Sequence, residues 1–369
     1  MSKNYNILIC PLEWGLGHAS RMIPLAKKLK GMNYNVIIGS GEEHLSMFRD
    51  ELPGLSYINF SGFKPAYSRY LPQYISLLLK TPYLLYHIIL EHFRLKKIIR
   101  KYSVDIVISD NRFGLWNRKV KTVYITHMPL IPFPKSFRFM EFIGVLLHRA
   151  VIKKYTLCLI PDLPGEMNVS GRLSHGIKLP ENVRFIGILS KFISSGSASH
   201  NDTSPFQHNT IILSGPEPQR TILKEKLVNL LKGQYPPTVV LEGRPDKIRE
   251  TSRSDNIFYY NHLASQEMKE MITGSESIIS RSGYSTIMEL ISLNSSALLI
   301  PTPGQTEQEY LGKYMNEKGW FSVISQRDLH AGISFPSKKA IWSHEIIEQS
   351  NILLDKVLRE LLEEPKKKT

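Results

Sequence analysis

Ser280-Arg281-Ser282-Gly283-Tyr284-Ser285-Thr286-Ile287-Met288-Glu289, then Ala297-Leu298-Leu299-Ile300-Pro301, then Gly304-Gln305-Thr306-Glu307-Gln308-Glu309-Tyr310, decides the fold. The pattern predicts a strand over 277–280, a glycine turn and a helix from about Ser285. A second strand, a polar loop and another helix follow. A glycine between strand and helix lets the backbone approach a ligand closely, and the helix start offers free N–H groups carrying partial positive charge. Phosphate suits both. Glu289 falls one helical turn beyond Ser285, on the same face, where a carboxylate can take a pair of sugar hydroxyls. The polar loop supplies amide and carboxylate groups at the same sheet edge. A site reading phosphate, ribose and a second hydroxylated ring implies a nucleotide-sugar.

Strand-like apolar runs recur at 6–10, 36–39, 56–60, 104–109, 122–126, 157–160 and 184–186, and again at 210–213, 238–242, 257–260 and 297–300. Several are almost continuously apolar, the mark of strands buried on both faces of a parallel sheet. Helical stretches alternate with them. Residues 194–209 are rich in Ser, Gly, His and Asn, a linker composition. Two α/β domains facing a cleft are expected, 1–193 and 210–340. Residues 341–362 form a further helix, and a charged tail ends the chain.

The order Arg-Ser-Gly, Ser/Thr, Glu, an apolar strand ending in Pro, then Glu-Gln-Glu-Tyr resembles the donor half of MurG-like GT-B glycosyltransferases. The resemblance implies a GT-B fold of two Rossmann-like domains, with the helix of 341–369 returning to the first. It implies Glu289 as the ribose ligand, with Gln308 and Glu309 at the donor sugar. The family shows two glutamines there, where this chain has Gln308-Glu309. Gln305, Arg281, Ser282, Gly283, Ser285 and Thr286 would surround the diphosphate and sugar. Ser214 and Gly215 stand where the family carries another glycine loop, and Leu263 where it holds uracil by main-chain groups. Arg244, in a strand-end loop, either pairs with phosphate or is solvated.

The other glycine loop is Glu13-Trp14-Gly15-Leu16-Gly17-His18-Ala19-Ser20-Arg21, between a first strand and a helix. A Gly-x-Gly is weak evidence alone. Followed by His at the helix start, it puts Gly15, Gly17 and His18 at the C-terminal sheet edge, where open α/β folds bind ligands. The alternative is that the glycines shape the turn and His18 caps the helix. The loop resembles that of MurG-like transferases, and with Arg21 also that of nucleotide-sugar hydrolases on the same fold. Asp110 and His127 end two buried strands near it. Asp110 is the first candidate for general base, since inverting sugar transfer needs a carboxylate or imidazole to take the acceptor's proton. The competing readings are a capping Asp110 and a hydrogen-bonded, buried His127.

The formal charge is +14, and between Phe60 and Tyr155 stand 17 Lys/Arg against 4 Asp/Glu, so +13 lies there. In this region, 70–101 and 129–154 interleave Tyr, Phe, Leu and Ile with Lys and Arg. That is the composition of interfacial membrane contact, or of amphipathic helices with apolar core faces. No zinc pattern, helix-turn-helix or aromatic-basic RNA motif is present, which makes nucleic acid the weaker partner. Cys10 and Cys158 lie in apolar runs and read as buried thiols of a reducing compartment. The apolar tract 74–90 is broken by Lys80 and Thr81-Pro82, so no spanning helix is expected. The N-terminus lacks a signal-peptide core, and a cytoplasmic protein, peripheral on the inner membrane face, is expected.

The sequence and the resemblance together predict a glycosyltransferase that moves a hexose or HexNAc from a nucleotide-sugar, UDP-linked, to an acceptor hydroxyl that is lipid-linked or membrane-associated, and the resemblance implies inversion at the sugar. No Asp-x-Asp motif occurs, and neither a metal nor a cofactor is expected: the nucleotide-sugar is a substrate. The rivals are a nucleotide-sugar hydrolase or epimerase and a non-catalytic nucleotide-sugar binding protein.

Overall fold

A computed structural model describes residues 4–64, 79–193, 207–244, 250–330 and 344–363. The first sheet contains β1 (Asn6–Cys10), β2 (Asn35–Ser40), β3 (Ser56–Asn59), β4 (Ile106–Asp110), β5 (Lys121–Ile125), β6 (Leu157–Ile160) and β7 (Val183–Phe185). It is parallel throughout, in the order β3-β2-β1-β4-β5-β6-β7. Ile7, Leu8, Ile9 and Cys10 are all fully buried, as a strand covered on both faces requires. Helices α1 (Leu16–Gly31), α2 (Glu42–Glu51), α3 (Thr81–Lys101) and α4 (Met140–Ile152) belong to this half.

The second sheet contains β8 (His208–Ile212), β9 (Thr238–Leu241), β10 (Thr251–Ser254), β11 (Ile257–Tyr260), β12 (Ser275–Ser280), β13 (Leu298–Leu299) and β14 (Ser322–Val323). Its order is β10-β11-β9-β8-β12-β13-β14, with only β10 antiparallel. Helices α5 (Gln219–Leu231), α6 (Ser265–Thr273), α7 (Tyr284–Ser292) and α8 (Thr306–Glu317) accompany it. β8 already includes His208 and Asn209, two residues whose polarity assigns them to the linker in the sequence. Both are buried, and the His208 Nε2 lies 3.1 Å from the Met271 carbonyl. The rest of that linker, 194–206, lies outside the described residues.

The last helix, α9 (Glu345–Leu362), repeats its apolar residues at helical spacing: Leu354, Val357, Leu358 and Leu361. All four enter the core cluster of the first sheet, against α1 and α2. Lys28 pairs with Asp355 at 2.7 Å, and Arg184 with Glu360 at 2.9 Å. Gly187 packs so closely on Ser350 that a Cβ there would stand 2.2 Å from its Cα. Residues 341–343 and 364–369 lie outside the described residues.

Helices α3 and α4 leave most of their apolar side chains outside. α3 buries only Glu91 and Leu95, while Tyr83, Leu85, Tyr86, Ile89 and Phe93 are exposed. On α4 and the turn before it, Phe139 is 72% and Phe142 68% exposed, with Ile143 and Leu147 beside them. Only the C-terminal part of each helix has a core face, with Leu95 and Ile152 in buried clusters, and the remaining apolar side chains stay outside; residues 65–78 lie outside the described residues. Among the described residues no helix is long and apolar enough to cross a membrane. Cys10 and Cys158 are free and buried, and burial pushes the Cys10 thiol up to about 12.

Candidate active site

In each sheet the strand order reverses beside the first strand, at β1/β4 and at β8/β12. A crevice opens at such a point, beyond the carboxyl ends of the strands. Gly15 caps the loop after β1, Gly17 and His18 stand in the first turn of α1, and Asp110 ends β4. In the other half, Ser214 and Gly215 follow β8, and Arg281, Ser282 and Gly283 follow β12. The two crevices face each other across α1 and α7. The Ser285 hydroxyl donates to the Gly17 carbonyl at 3.0 Å, and a Cβ on Gly17 would stand 2.9 Å from that Oγ. Gly15 has φ 103°, which only glycine adopts freely. Neither helix has a side-chain cap or an acidic residue in its first turn, so the leading N–H groups stay available to an anion. Gly283 has an ordinary φ of −74°, and a Cβ there would meet only Thr286 Oγ1, at 3.8 Å. It is the open face, not the backbone angle, that sets this position apart.

The groups at the first sheet's edge of the cleft form one buried network. His18 Nδ1 lies 2.9 Å from Asp110 Oδ2. Arg21, three residues after His18 and so on the same helix face, donates Nε to Asp110 Oδ2 at 3.0 Å and Nη2 to Oδ1. Its Nη1 lies 3.1 Å from His127 Nδ1. The His127 Nε2 is 2.9 Å from Glu307 Oε1, in the first turn of α8 across the cleft, and the ring stacks on Tyr284 at 4.1 Å. Burial alone would raise the Asp110 carboxyl, but Arg21 and His18 outweigh it and hold it below the ordinary value. Burial, followed by the Arg21 charge, pushes His18 below the ordinary histidine value against the pull of Asp110.

This geometry reverses the expected order of the base candidates. The Asp110 side chain has no exposed surface and both oxygens are engaged, whereas the His18 side chain is 17% exposed. Asp110 is enclosed, and His18 is the one of the two that reaches the cleft. His127 is held between Arg21, Glu307 and Tyr284, which matches the hydrogen-bonded buried ring of the alternative reading. Beneath the same loop, buried Glu13 accepts from the N–H groups of Gly41 (2.8 Å) and Gly62 (3.0 Å), tying three loops together. Trp14, Phe63 and Tyr83 make an aromatic run beside it, with centroids 6.0 and 5.7 Å apart.

On the donor side, Glu289 is buried and points at the cleft, where Ser20 of α1 donates to its Oε1. Thr286 is buried one turn before, and Ser285 half-buried. Two expected phosphate neighbours are placed otherwise. Arg281 has no exposed surface; its guanidinium donates to the carbonyls of Ile300 (3.1 Å), Pro301 (3.3 Å) and Gln219 (2.9 Å). It braces β13 and the start of α5 from inside, and burial lowers it to about 10. Ser282, equally buried, donates to the Gln308 carbonyl at 2.8 Å. Gln308 is buried, its Oε1 accepting from Thr302 N at 2.9 Å, while exposed Glu309 accepts from Gly304 N at 2.8 Å. Gln305 precedes α8 as its N-cap residue. Gly215 has φ 94° with open space around it. Arg244 lies 3.6 Å from Glu217, and Leu263 packs partly against the donor-half core. The sequence alone gives Ser20, Arg21, Tyr284 and Glu307 no role, and for Arg21 the i, i+3 spacing to His18 is the signal that points to it.

Residues 242–334 match the glycosyltransferase family 28 C-terminal domain. The UDP-N-acetylglucosamine–N-acetylmuramyl-(pentapeptide) pyrophosphoryl-undecaprenol N-acetylglucosamine transferase of Bacillus cytotoxicus is 33% identical over 86 residues. That match spans 23% of this chain and 23% of the relative, so the chain covers about a quarter of the relative's length. An uncharacterized glycosyltransferase of Methanosarcina acetivorans is 24% identical over 343 residues, 84% of this chain and 83% of its own. Among solved structures, the glycosyltransferase SnogD from Streptomyces nogalater superposes with a TM-score of 0.56 at 13% identity, covering 98% of this chain and 93% of its own. The architecture is GT-B, and the second half is MurG-like.

Proposed function

We propose that this MurG-like chain of GT-B fold is a glycosyltransferase that moves a hexose or N-acetylhexosamine from a UDP-sugar to an acceptor hydroxyl. One observation carries the reading: an imidazole backed by a carboxylate, His18 and Asp110, faces an uncapped helix start and a cleft-facing carboxylate, α7 and Glu289, across a single cleft. The UDP class rests on the donor named in the Bacillus cytotoxicus relative.

In the proposed step the acceptor oxygen attacks the anomeric carbon from the His18 side, and His18 Nε2 takes its proton. The bond from that carbon to the diphosphate oxygen breaks, and UDP leaves with the electron pair. The sugar inverts. The free N–H groups and dipole of α7 stabilise the charge that develops on the leaving diphosphate, a role in which a metal or other cofactor is not needed. Glu289 takes the ribose hydroxyls once Ser20 releases it.

The acceptor is proposed to be lipid-linked or membrane-associated, with the first domain resting on the anionic inner face of a membrane. Support comes from the exposed aromatic and aliphatic side chains of α3 and α4, set among Arg94, Lys96, Lys97, Arg100, Lys101, Arg138, Arg149, Lys153 and Lys154.

A thermal-shift panel over UDP-, TDP- and GDP-sugars tests the donor assignment. A ligand at a hundred times its Kd stabilises by about 2.7 kcal/mol. A UDP-sugar should raise the melting temperature of the wild type and raise that of Glu289→Ala much less. If no nucleotide stabilises the wild type, the reading falls.

A further inference from the structure

Arg21 has no assigned part in sugar transfer, yet it is the most connected side chain in the cleft. It sits one turn along α1 from His18, is 1% exposed, and reaches Asp110, His127 and His18 with one guanidinium. We infer that Arg21 is a positioning residue that fixes the tautomer of His18 and keeps its ring neutral, so that Nε2 presents a lone pair to the cleft. The inference rests on the proposed role of His18 as base.

Proton counting carries the argument. A guanidinium only donates, so His127 Nδ1 must accept from Arg21 Nη1. The His127 proton is therefore on Nε2 and donates to Glu307 Oε1. His18 is different, because its Nδ1 lies 2.9 Å from both Arg21 Nη2, a donor, and Asp110 Oδ2, an acceptor. One nitrogen cannot serve both. If Nδ1 accepts from Arg21, the His18 proton is on Nε2 and the ring is no base. If Nδ1–H donates to Asp110, Nε2 is free.

The fork decides between them. With Nε and Nη2 on the two Asp110 oxygens, Arg21 locks the carboxylate in place as the Nδ1–H acceptor. The same positive charge beside the ring opposes a second proton there. The groups facing His18 are Asp110 from β4, Arg21 on its own helix, His127 beyond β5, His44 on α2 and Glu307 on α8. Of the two permanent charges nearest the ring, Asp110 draws a proton in and Arg21 keeps it out. Removing Arg21 alone therefore leaves the carboxylate unopposed, and His18 should protonate at higher pH.

Long-range 1H–15N correlation of the histidine rings, recorded on the full chain over about pH 5 to 8, reads tautomer and titration without any substrate. Wild-type His18 should stay neutral at pH 7 with its proton on Nδ1. Arg21→Met should move its titration to a proton concentration lower by about tenfold or more. An unchanged midpoint in a folded Arg21→Met overturns the proposal. If that variant does not fold, Arg21→Lys decides. An ammonium keeps the charge but cannot hold both carboxylate oxygens, so an Nε2–H population should appear while the midpoint holds. A ring still wholly Nδ1–H in Arg21→Lys overturns it. Turnover of His18→Ala tests the base reading separately: if turnover survives there, the base assignment fails whatever the Arg21 spectra show.

Discussion

Ser20→Ala should make UDP bind more tightly. Glu289 carries the proposed ribose contact, yet in the unliganded protein its Oε1 already accepts from Ser20 across the cleft. Ribose must displace that hydroxyl. Glu289 is 8% exposed, so little water stands ready to replace Ser20 when the mutation removes it. A hydrogen bond to a charged group contributes about 1.5–3 kcal/mol. Adjustment of nearby side chains offsets part of this, leaving about 1.4 kcal/mol, or roughly tenfold in affinity. Isothermal titration with UDP measures it. The cycle closes with Glu289→Ala, which should itself cost about 2–3 kcal/mol of UDP binding by removing two charge-assisted bonds. In the Glu289→Ala background, Ser20→Ala should change nothing, because the two residues act through one bond. Weaker UDP binding in Ser20→Ala would make Ser20 a ligand contact and refute the competition. An unchanged Kd in Glu289→Ala would remove the carboxylate from the site.

His18→Ala should lower kcat by about 10²–10⁴-fold with little change in donor affinity, the signature of a general base; saturation kinetics separate the two. Stability should fall with acid from near pH 6.5 downward. Burial pushes His44 down to about 3, so below its unfolded value near 6.5 the unfolded chain binds a proton that the folded chain refuses. Stability present above that value is lost as pH falls, about 2 kcal/mol from His44 alone between about pH 6.5 and 5. Urea unfolding across that range, compared with His44→Gln, should show the slope reduced by about one proton. Vesicles of phosphatidylglycerol in phosphatidylcholine should bind the protein at low salt and release it at high salt. Changing Arg94, Lys96, Lys97, Arg100 and Lys101 together to Gln should abolish sedimentation with them, and a wild type indifferent to anionic vesicles would end the membrane reading.

The strands most legible in the sequence are those buried on both faces. β1 and β6 fall on the residues their apolar runs mark, because continuous burial leaves an unbroken signature. β10 is invisible for the opposite reason: Thr251-Ser252-Arg253-Ser254 is an exposed edge with nothing apolar to alternate. The glycine loops locate the cleft, since turn and helix start are local features. Direction within the cleft is not local. An arginine after a strand reads as a phosphate ligand, but Arg281 turns inward to the carbonyls of Ile300, Pro301 and Gln219, which only the fold brings together. Among Glu307, Gln308 and Glu309, consecutive helical residues point about 100° apart, and which one meets His127 depends on the set of α8 against the first domain. The apolar face of α3 looked equally like core or contact surface, because periodicity records amphipathicity and not what covers it.

The most direct test of the account is release of UDP from a UDP-sugar, with and without an extracted membrane-lipid fraction as acceptor source. A transferase that uses His18 as base should release UDP in step with sugar appearing in the lipid phase. Release should be slow without acceptor and lost in His18→Ala. Equal release with and without lipid, as free sugar in water, would contradict the account in favour of hydrolysis. Tight UDP-sugar binding with no turnover on any acceptor would contradict it in favour of a binding protein.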